Sequence, residues 1–243
     1  MIRIEGLTKK FGKTEALRGV SVQLEAGRVV VIMGPNASGK STLLKCILGV
    51  VQPSSGEIRV LGQPIAGQWQ YRADIGYMPQ LNHLPENLTT AQLFEMIRAV
   101  RQPQPGYELD YELFEQYELK GWLDKRLGTL SGGTRQKINA ALAFLFSPRI
   151  VVLDEPSVGL DPVAVEILKA KVRKCRAEGR LVLLTSHLFA EAEELGDDLL
   201  YLRDGQVQLS TPIADFLELT QQASLGDAVL SYYHRPPTAR VTC

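Results

Sequence analysis

Cysteine and histidine are scarce in this chain, net charge is absent, and no long apolar run occurs. The three cysteines, Cys46, Cys175 and Cys243, are odd in number and far apart, with no Cys-x-x-Cys. That speaks against a disulfide framework and a zinc knuckle, and reduced cytosolic thiols are the expectation. The three histidines, His83, His187 and His234, form no His-x-x-x-His pair, so a metal site built from protein ligands alone is not expected. Lys+Arg and Asp+Glu both number 27, a formal net charge of +0. A strongly basic nucleic-acid binder and an acidic disordered tail are thereby disfavoured, although a local patch is not. No apolar run approaches the ~18–20 residues of a membrane helix. Met1-Ile2-Arg3-Ile4-Glu5 has an acid where a secretory leader would have its apolar centre. We therefore expect a chain that does not enter a bilayer by these means but can dock on a membrane protein.

What is present is ordinary globular sequence. The 243 residues are 45% hydrophobic and 22% charged, enough to bury a sizeable core in one large domain or two small ones. No internal repeat or long low-complexity segment is visible. Two kinds of strand are. Ile2 and Ile4, Val20, Val22 and Leu24, and Ile58 and Val60 alternate with polar residues, the pattern of half-buried antiparallel strands. Val29 to Met33, Ile150 to Leu153 and Leu181 to Leu184 are continuous apolar runs, suited to parallel strands covered on both faces. From about Pro85 to Pro148 the pattern turns helical. Helices are expected over Ala91 to Val100, Tyr111 to Tyr117 and Thr134 to Phe146, with a loop at Gln102-Pro103-Gln104-Pro105-Gly106. This stretch is expected to be a helical subdomain, about residues 85–148, inserted into an α/β core. Residues after about 222 are expected to form a peripheral extension.

Gly34-Pro35-Asn36-Ala37-Ser38-Gly39-Lys40-Ser41 matches the phosphate-loop pattern G-x-x-x-x-G-K-[ST] in full. It follows an apolar strand and opens a helix expected over Ser41 to Leu48, which is the context the chemistry requires. Glycines let several N–H groups turn inward, and the helix N-terminus adds partial positive charge. Lys40 can reach the β- and γ-phosphates, and the Ser41 hydroxyl can bind Mg²⁺. Ile150-Val151-Val152-Leu153-Asp154-Glu155 is a strand that ends in two acids. At the carboxyl end of a parallel strand, Asp154 can approach Mg²⁺ and Glu155 can polarise a water for attack on the γ-phosphate. Leu130-Ser131-Gly132-Gly133 precedes an apolar helix. Ser131 can cap that helix, and the glycines offer N–H groups at its positive end. Taken alone, Ser-Gly-Gly reads only as a helix entry.

These motifs together resemble the ATP-binding cassette (ABC) family: the phosphate loop, LSGG, IVVLDEP, Gly159-Leu160-Asp161 and a later His187, in that order. They run from about Phe11 to His187, and the resemblance extends to about Thr220. It implies a P-loop NTPase core with a parallel sheet, a small antiparallel β subdomain and an inserted helical subdomain, the cassette occupying residues 1–222. It implies two copies paired head to tail around two ATP molecules. Each ATP then lies on one copy's phosphate loop, Gly34 to Ser41 with Thr42, and on Ser131, Gly132 and Gly133 of the other. By the same resemblance Gln80 senses Mg²⁺ and the attacking water, Asp161 lies at the dimer seam, and His187 contacts the γ-phosphate. Glu155, His187 and Gln80 form the catalytic set; Ser41, Gln80 and Asp154 hold the metal. Phe11 stands where an aromatic stacks on adenine, a core phenylalanine being the rival reading. Thr134 replaces the usual Gln after LSGG, and Ser157 the common Thr after Asp-Glu-Pro.

With no membrane span, the resemblance implies a separate ATPase subunit held at the cytoplasmic face of the inner membrane by an integral membrane transporter subunit. No direct nucleic-acid contact is expected. LSGGTRQKINA, Met78-Pro79-Gln80 and Pro85-Glu86-Asn87-Leu88-Thr89 are similar to ATPase subunits of bacterial exporters with six-helix membrane partners. Within that group they resemble the ATPase of the copper-handling transporter that serves nitrous-oxide reductase maturation, although no residue here specifies copper. The alternative is a soluble ATPase of the same family that acts on nucleic acid or ribosomes. Such proteins usually carry two cassettes, coiled-coil insertions or zinc modules, none of which is evident.

Overall fold

The two kinds of strand separate into two sheets in the computed structural model, which describes residues 1–80, 84–101 and 108–234. In chain order the strands are β1 (Ile2–Phe11), β2 (Thr14–Leu24), β3 (Val29–Met33), β4 (Ser55–Val60), β5 (Gln63–Pro64), β6 (Ile75–Met78), β7 (Ile150–Asp154), β8 (Leu181–Thr185), β9 (Asp198–Arg203) and β10 (Gln206–Pro212). The helices are α1 (Lys40–Ile47), α2 (Thr90–Arg101), α3 (Glu112–Gln116), α4 (Gly132–Phe144), α5 (Pro162–Ala177), α6 (Phe189–Leu195), α7 (Ile213–Thr220) and α8 (Leu225–His234). The alternating strands form an antiparallel sheet, β2-β1-β4-β5, in which Ile2 faces Leu24 and Ile4 faces Val22. The apolar runs β3, β7 and β8 lie inside a second sheet, β10-β9-β3-β8-β7-β6, and every residue of the three is buried. The pairings from β6 across to β9 are parallel, and β10 closes the edge antiparallel.

Side chains in a strand alternate between faces, and the core divides accordingly. Val30, Ile32, Val152 and Leu183 pack with α1 and the antiparallel sheet. Val31, Met33, Val151, Leu153 and Leu184 pack with the helices on the other face. The excursion between β6 and β7 shares this second core: Leu93, Leu113, Leu119 and Leu127 belong to it, and Phe94 meets Phe114 edge-on at 5.4 Å. Its helices start within two residues of the expected positions. α4 begins at Gly132 because the Ser131 side chain caps it, accepting from Thr134 N. The expected loop at Gln102 to Gly106 lies outside the described residues.

The segment after residue 222 corrects an expectation. It is not wholly peripheral: α8 buries Leu225, Ala228, Val229 and Tyr232, and Phe216 of α7 stacks edge-on against Tyr232 at 5.8 Å. Leu225, Ala228, Val229 and Tyr232 recur at the spacing of one helix face, which covers α6 and α7. Cys46 and Cys175 are buried thiols, and burial pushes Cys175 up to about 11, which keeps it protonated and unreactive. Among the described residues no helix is long and apolar enough to cross a membrane.

Candidate nucleotide site

The sheet places the site. After β3 the chain passes through α1, β4 and β5 before β6 forms the far edge; it returns through β7 and β8, and β9 then lies on the other side of β3. Such reversals leave a crevice at the carboxyl ends of the strands. Gln80 follows β6, Glu155 follows β7, His187 follows β8, and the phosphate loop follows β3. All four contribute to one open cleft of about 510 Å³, which also meets Phe11, Ala16 and Gly205.

The loop after β3 is tightly fixed. Gly34 has φ 146°, and a Cβ there would stand 2.0 Å from the carbonyl oxygen of Leu202. Gly39 has φ 106°, and its Cβ would stand 2.7 Å from the carbonyl oxygen of Ala16. Both positions demand glycine on conformational and steric grounds. Ala37 is also left-handed, at φ 62°. The Lys40 ammonium donates to the carbonyl oxygens of Gly34 (2.8 Å) and Pro35 (3.1 Å). Burial pushes Lys40 below its ordinary value, and Glu155 and Asp154 oppose that shift. Among the described residues the buried Ser38 hydroxyl has no hydrogen-bond partner. A buried orphan hydroxyl beside a buried ammonium that donates to carbonyls of its own loop is an arrangement suited to an anion. Asn36, Ser41 and Thr42 line the mouth of the same cleft.

Glu155 is the meeting point of the other loops. Its Oε2 accepts from Gln80 Nε2 at 2.9 Å, and His187 Nε2 lies 2.6 Å from its Oε1. Gln80 is thus spending its amide nitrogen on Glu155, which leaves its oxygen as the acceptor. Asp154 is 6% exposed and accepts the Thr185 hydroxyl on Oδ1 at 2.6 Å. Ser41, Gln80 and Asp154 offer a hydroxyl, a carboxamide and a carboxylate, the hard oxygen set that suits Mg²⁺. Phe11, at the end of β1, is 50% exposed, with Lys9 Nζ 4.8 Å from its ring centroid; it rims the cleft and is not a core residue.

The signature turn is elsewhere. Ser131, Gly132 and Gly133 do not line the cleft. Ser131 and Gly132 are exposed, and nothing lies within 4 Å of a Cβ built on Gly132. Asp161 caps α5 by accepting from Ala164 N at 2.9 Å and pairs with Lys137 of α4 at 2.6 Å. The Lys137 ammonium holds the Asp161 carboxyl below its ordinary value.

The sequence profile described as ABC transporter matches residues 17–158. The Nod factor export ATP-binding protein I of Rhizobium sp. is 33% identical over 214 residues, covering 84% of this chain and 68% of the relative. Its counterpart in Rhizobium meliloti is 35% identical over 208 residues, covering 84% and 62%. The chain belongs to the ABC transporter family. Among solved structures, an ATP-binding subunit of an ABC transporter superposes with a TM-score of 0.88 at 27% identity, covering 95% of this chain and 98% of that one. A dimeric ATP-binding cassette in a post-hydrolysis state with ADP and Pi superposes with a TM-score of 0.78 at 26% identity, covering 87% and 98%. The chain is therefore an ABC transporter ATPase, binding ATP and coupling its hydrolysis to transport.

Several contacts around this ABC ATPase site carry no motif of their own. Thr185 bonds both Asp154 and the backbone of Glu155. The Ser186 hydroxyl donates to Glu191 at 2.5 Å and accepts from Leu188 N at 3.0 Å, closing the turn that holds His187. Glu15, Arg18 and Asp204 also line the cleft. A polar pair directly before His187, at the end of an apolar strand, was the one available signal for Thr185 and Ser186.

Proposed function

We propose that the cleft binds Mg-ATP and that Glu155 activates the attacking water. The observation that carries this is the Glu155 carboxylate, gripped by Gln80 and His187 at the end of the crevice that the phosphate loop opens. In this reading the loop N–H groups and Lys40 bind the β- and γ-phosphates, and Phe11 stacks on the base. Ser41, Gln80 and Asp154 would hold Mg²⁺, which when bound offsets phosphate charge. Glu155 accepts a proton from water, and His187 orients the γ-phosphate end of the site.

The exposed Ser131-Gly132-Gly133 turn completes the site of a second copy, so the hydrolytic unit is a dimer with Asp161 near its seam. The solved dimeric cassette and the transporter-subunit relatives support this arrangement. An integral membrane subunit then holds the ATPase at the cytoplasmic membrane face, the cassette spanning residues 1–222 with helices 85–148 inserted. Export is the direction the Nod factor relatives suggest. The finer reading, a copper-handling transporter for nitrous-oxide reductase maturation, rests on the LSGGTRQKINA and Pro85 to Thr89 strings alone. The test is Glu155→Gln, which keeps shape and removes basicity. Turnover should fall by roughly 10²–10⁴-fold while ATP still binds and the dimer accumulates on sizing with Mg-ATP. Wild-type turnover would remove Glu155 from the chemistry.

A further inference from the structure

The polar residues in the buried core are few, and one of them stands between the two acids at the end of β7. β7 and β8 are parallel neighbours, and Asp154 is in register with Thr185. Residues in register on adjacent parallel strands project to the same face, so the Thr185 side chain is delivered to the Asp154 carboxylate. Thr185 is 1% exposed. Its hydroxyl donates to Asp154 Oδ1 at 2.6 Å and accepts from Glu155 N at 2.9 Å. The Thr185 carbonyl oxygen also accepts from Glu155 N, at 3.2 Å.

A hydroxyl has one hydrogen and two lone pairs. Here the hydrogen is committed to Asp154 and a lone pair to Glu155, so a single oxygen orders two consecutive acids of opposite direction. Glu155 needs this anchorage, because its backbone is left-handed at φ 49° without being glycine. The left-handed turn at Glu155 swings its carboxylate away from the Asp154 side and into the cleft, toward Gln80 and His187. The branched Cβ of threonine restricts the rotamer that keeps the hydroxyl in place.

We infer that Thr185 is a positioning residue for ATP hydrolysis, fixing the Asp154 carboxylate for the metal and the Glu155 backbone for water activation through one hydroxyl. This rests on the nucleotide site proposed above. Thr185 touches neither substrate nor reacting atoms and acts only through the two acids. Valine in its place leaves the buried Asp154 oxygen without this donor and leaves Glu155 N with only the longer bond to the carbonyl oxygen at 185.

The experiment uses the full chain and compares Thr185→Val, which replaces the hydroxyl by a methyl, with Thr185→Ser, which keeps it. Each is measured for Mg²⁺-dependent kcat, the Mg²⁺ concentration at half-maximal rate, ATP affinity and melting temperature. Outer-shell partners of a metal site cost 10–100-fold when removed, so Thr185→Val should lose about that much in kcat and need more Mg²⁺, while Thr185→Ser stays within about threefold of wild type. ATP affinity should change far less than kcat in both. A Thr185→Val chain with wild-type kcat and Mg²⁺ midpoint overturns the inference. So does a Thr185→Ser chain as inactive as Thr185→Val, since the hydroxyl would then be irrelevant. If Thr185→Val does not fold, Thr185→Ala supplies the same readings at a temperature well below its own melting point. Glu155→Gln run in parallel separates the two levels. If it is fully active, the site reading fails; if it is inactive while Thr185→Val is fully active, only the role of Thr185 fails.

Discussion

The phosphate loop and the signature turn are both glycine-rich helix entries, yet they are opposite kinds of surface. Around the loop most polar groups, the Ser38 hydroxyl excepted, are answered within the chain: Lys40 by its own carbonyls, Asp154 by Thr185, Glu155 by Gln80 and His187. At the signature turn Ser131 caps its own helix and the adjacent glycine opens to solvent. The glycines differ in the same way. Gly34 is glycine because the fold leaves no room for a Cβ; at Gly132 the chain itself would accept one. The first half-site is dictated by folding. At the second, a Cβ on Gly133 would stand 2.9 Å from the Gly159 carbonyl oxygen, whereas Gly132 answers to something that approaches from outside, which in the proposed function is the ATP on another copy.

The largest expected effect comes from the half that is complete. Charge-assisted hydrogen bonds contribute about 1.5–3 kcal/mol each, so removing the Lys40 ammonium in Lys40→Ala should weaken ATP binding by roughly 100-fold or more. Calorimetric titration that finds wild-type affinity would contradict the phosphate-loop assignment. The sharpest comparison places one substitution in both halves. Gly34→Ala should cost about 1–3 kcal/mol or more of stability through overpacking and a forced φ, measured by urea unfolding. Gly132→Ala should stay within about 0.5 kcal/mol of wild type in the same assay, yet lose ATP turnover because the methyl obstructs approach of the partner's phosphate. Equal unfolding midpoints for the two variants, or full turnover in Gly132→Ala, would erase the distinction.

A gentler break is dilution. If the signature half is supplied by a second copy, turnover per chain should fall as protein is diluted to where sizing detects only monomer, and ATP affinity of the loop should fall much less. A flat rate would mean that one chain suffices. The smallest effect is expected away from both half-sites, where Lys171 and Lys174 of α5 bind Glu112 at 2.7 Å each. These contacts hold the Glu112 carboxyl below its ordinary value of 4.5. A depressed carboxyl contributes stability that is present above its unfolded value and is lost as pH falls through the folded one. Glu112→Gln should therefore lower stability at pH 7 by about 1 kcal/mol, since buried Lys171 keeps Asp110 at 2.6 Å as a partner and Lys174 is solvated, and flatten the loss on acidification below the ordinary value. Urea midpoints at pH 7 and below the ordinary carboxyl value check it; an unchanged acid limb would remove Glu112 from that network.

Much of this molecule was legible as sequence because its signals are local. The continuous apolar runs of β3, β7 and β8 announced strands covered on both faces, and the alternating residues of β1 and β2 announced a half-buried sheet. The phosphate-loop spacing is tied to one strand–turn–helix geometry, so residues 34–42 were readable as a phosphate cradle. Periodicity says nothing of which strands become neighbours, and the same apolar pattern would serve many strand orders. The order β10-β9-β3-β8-β7-β6, with helices on one face and α1 and the antiparallel sheet on the other, is what gathers Gln80, Glu155 and His187 into one cleft. Thr185 carried only the weak signal of a polar residue at the end of an apolar strand, which gains meaning when a neighbouring strand sets Asp154 in register with it. α8 carried a helical signal, since Leu225, Ala228, Val229 and Tyr232 keep the spacing of one helix face, but that spacing does not say that α6 and α7 are the surface it covers. The sequence by itself determined which short segments can hold phosphate, metal and water. The tertiary structure decided which of those segments meet within one chain, since strand order and register are set by packing between residues far apart in sequence.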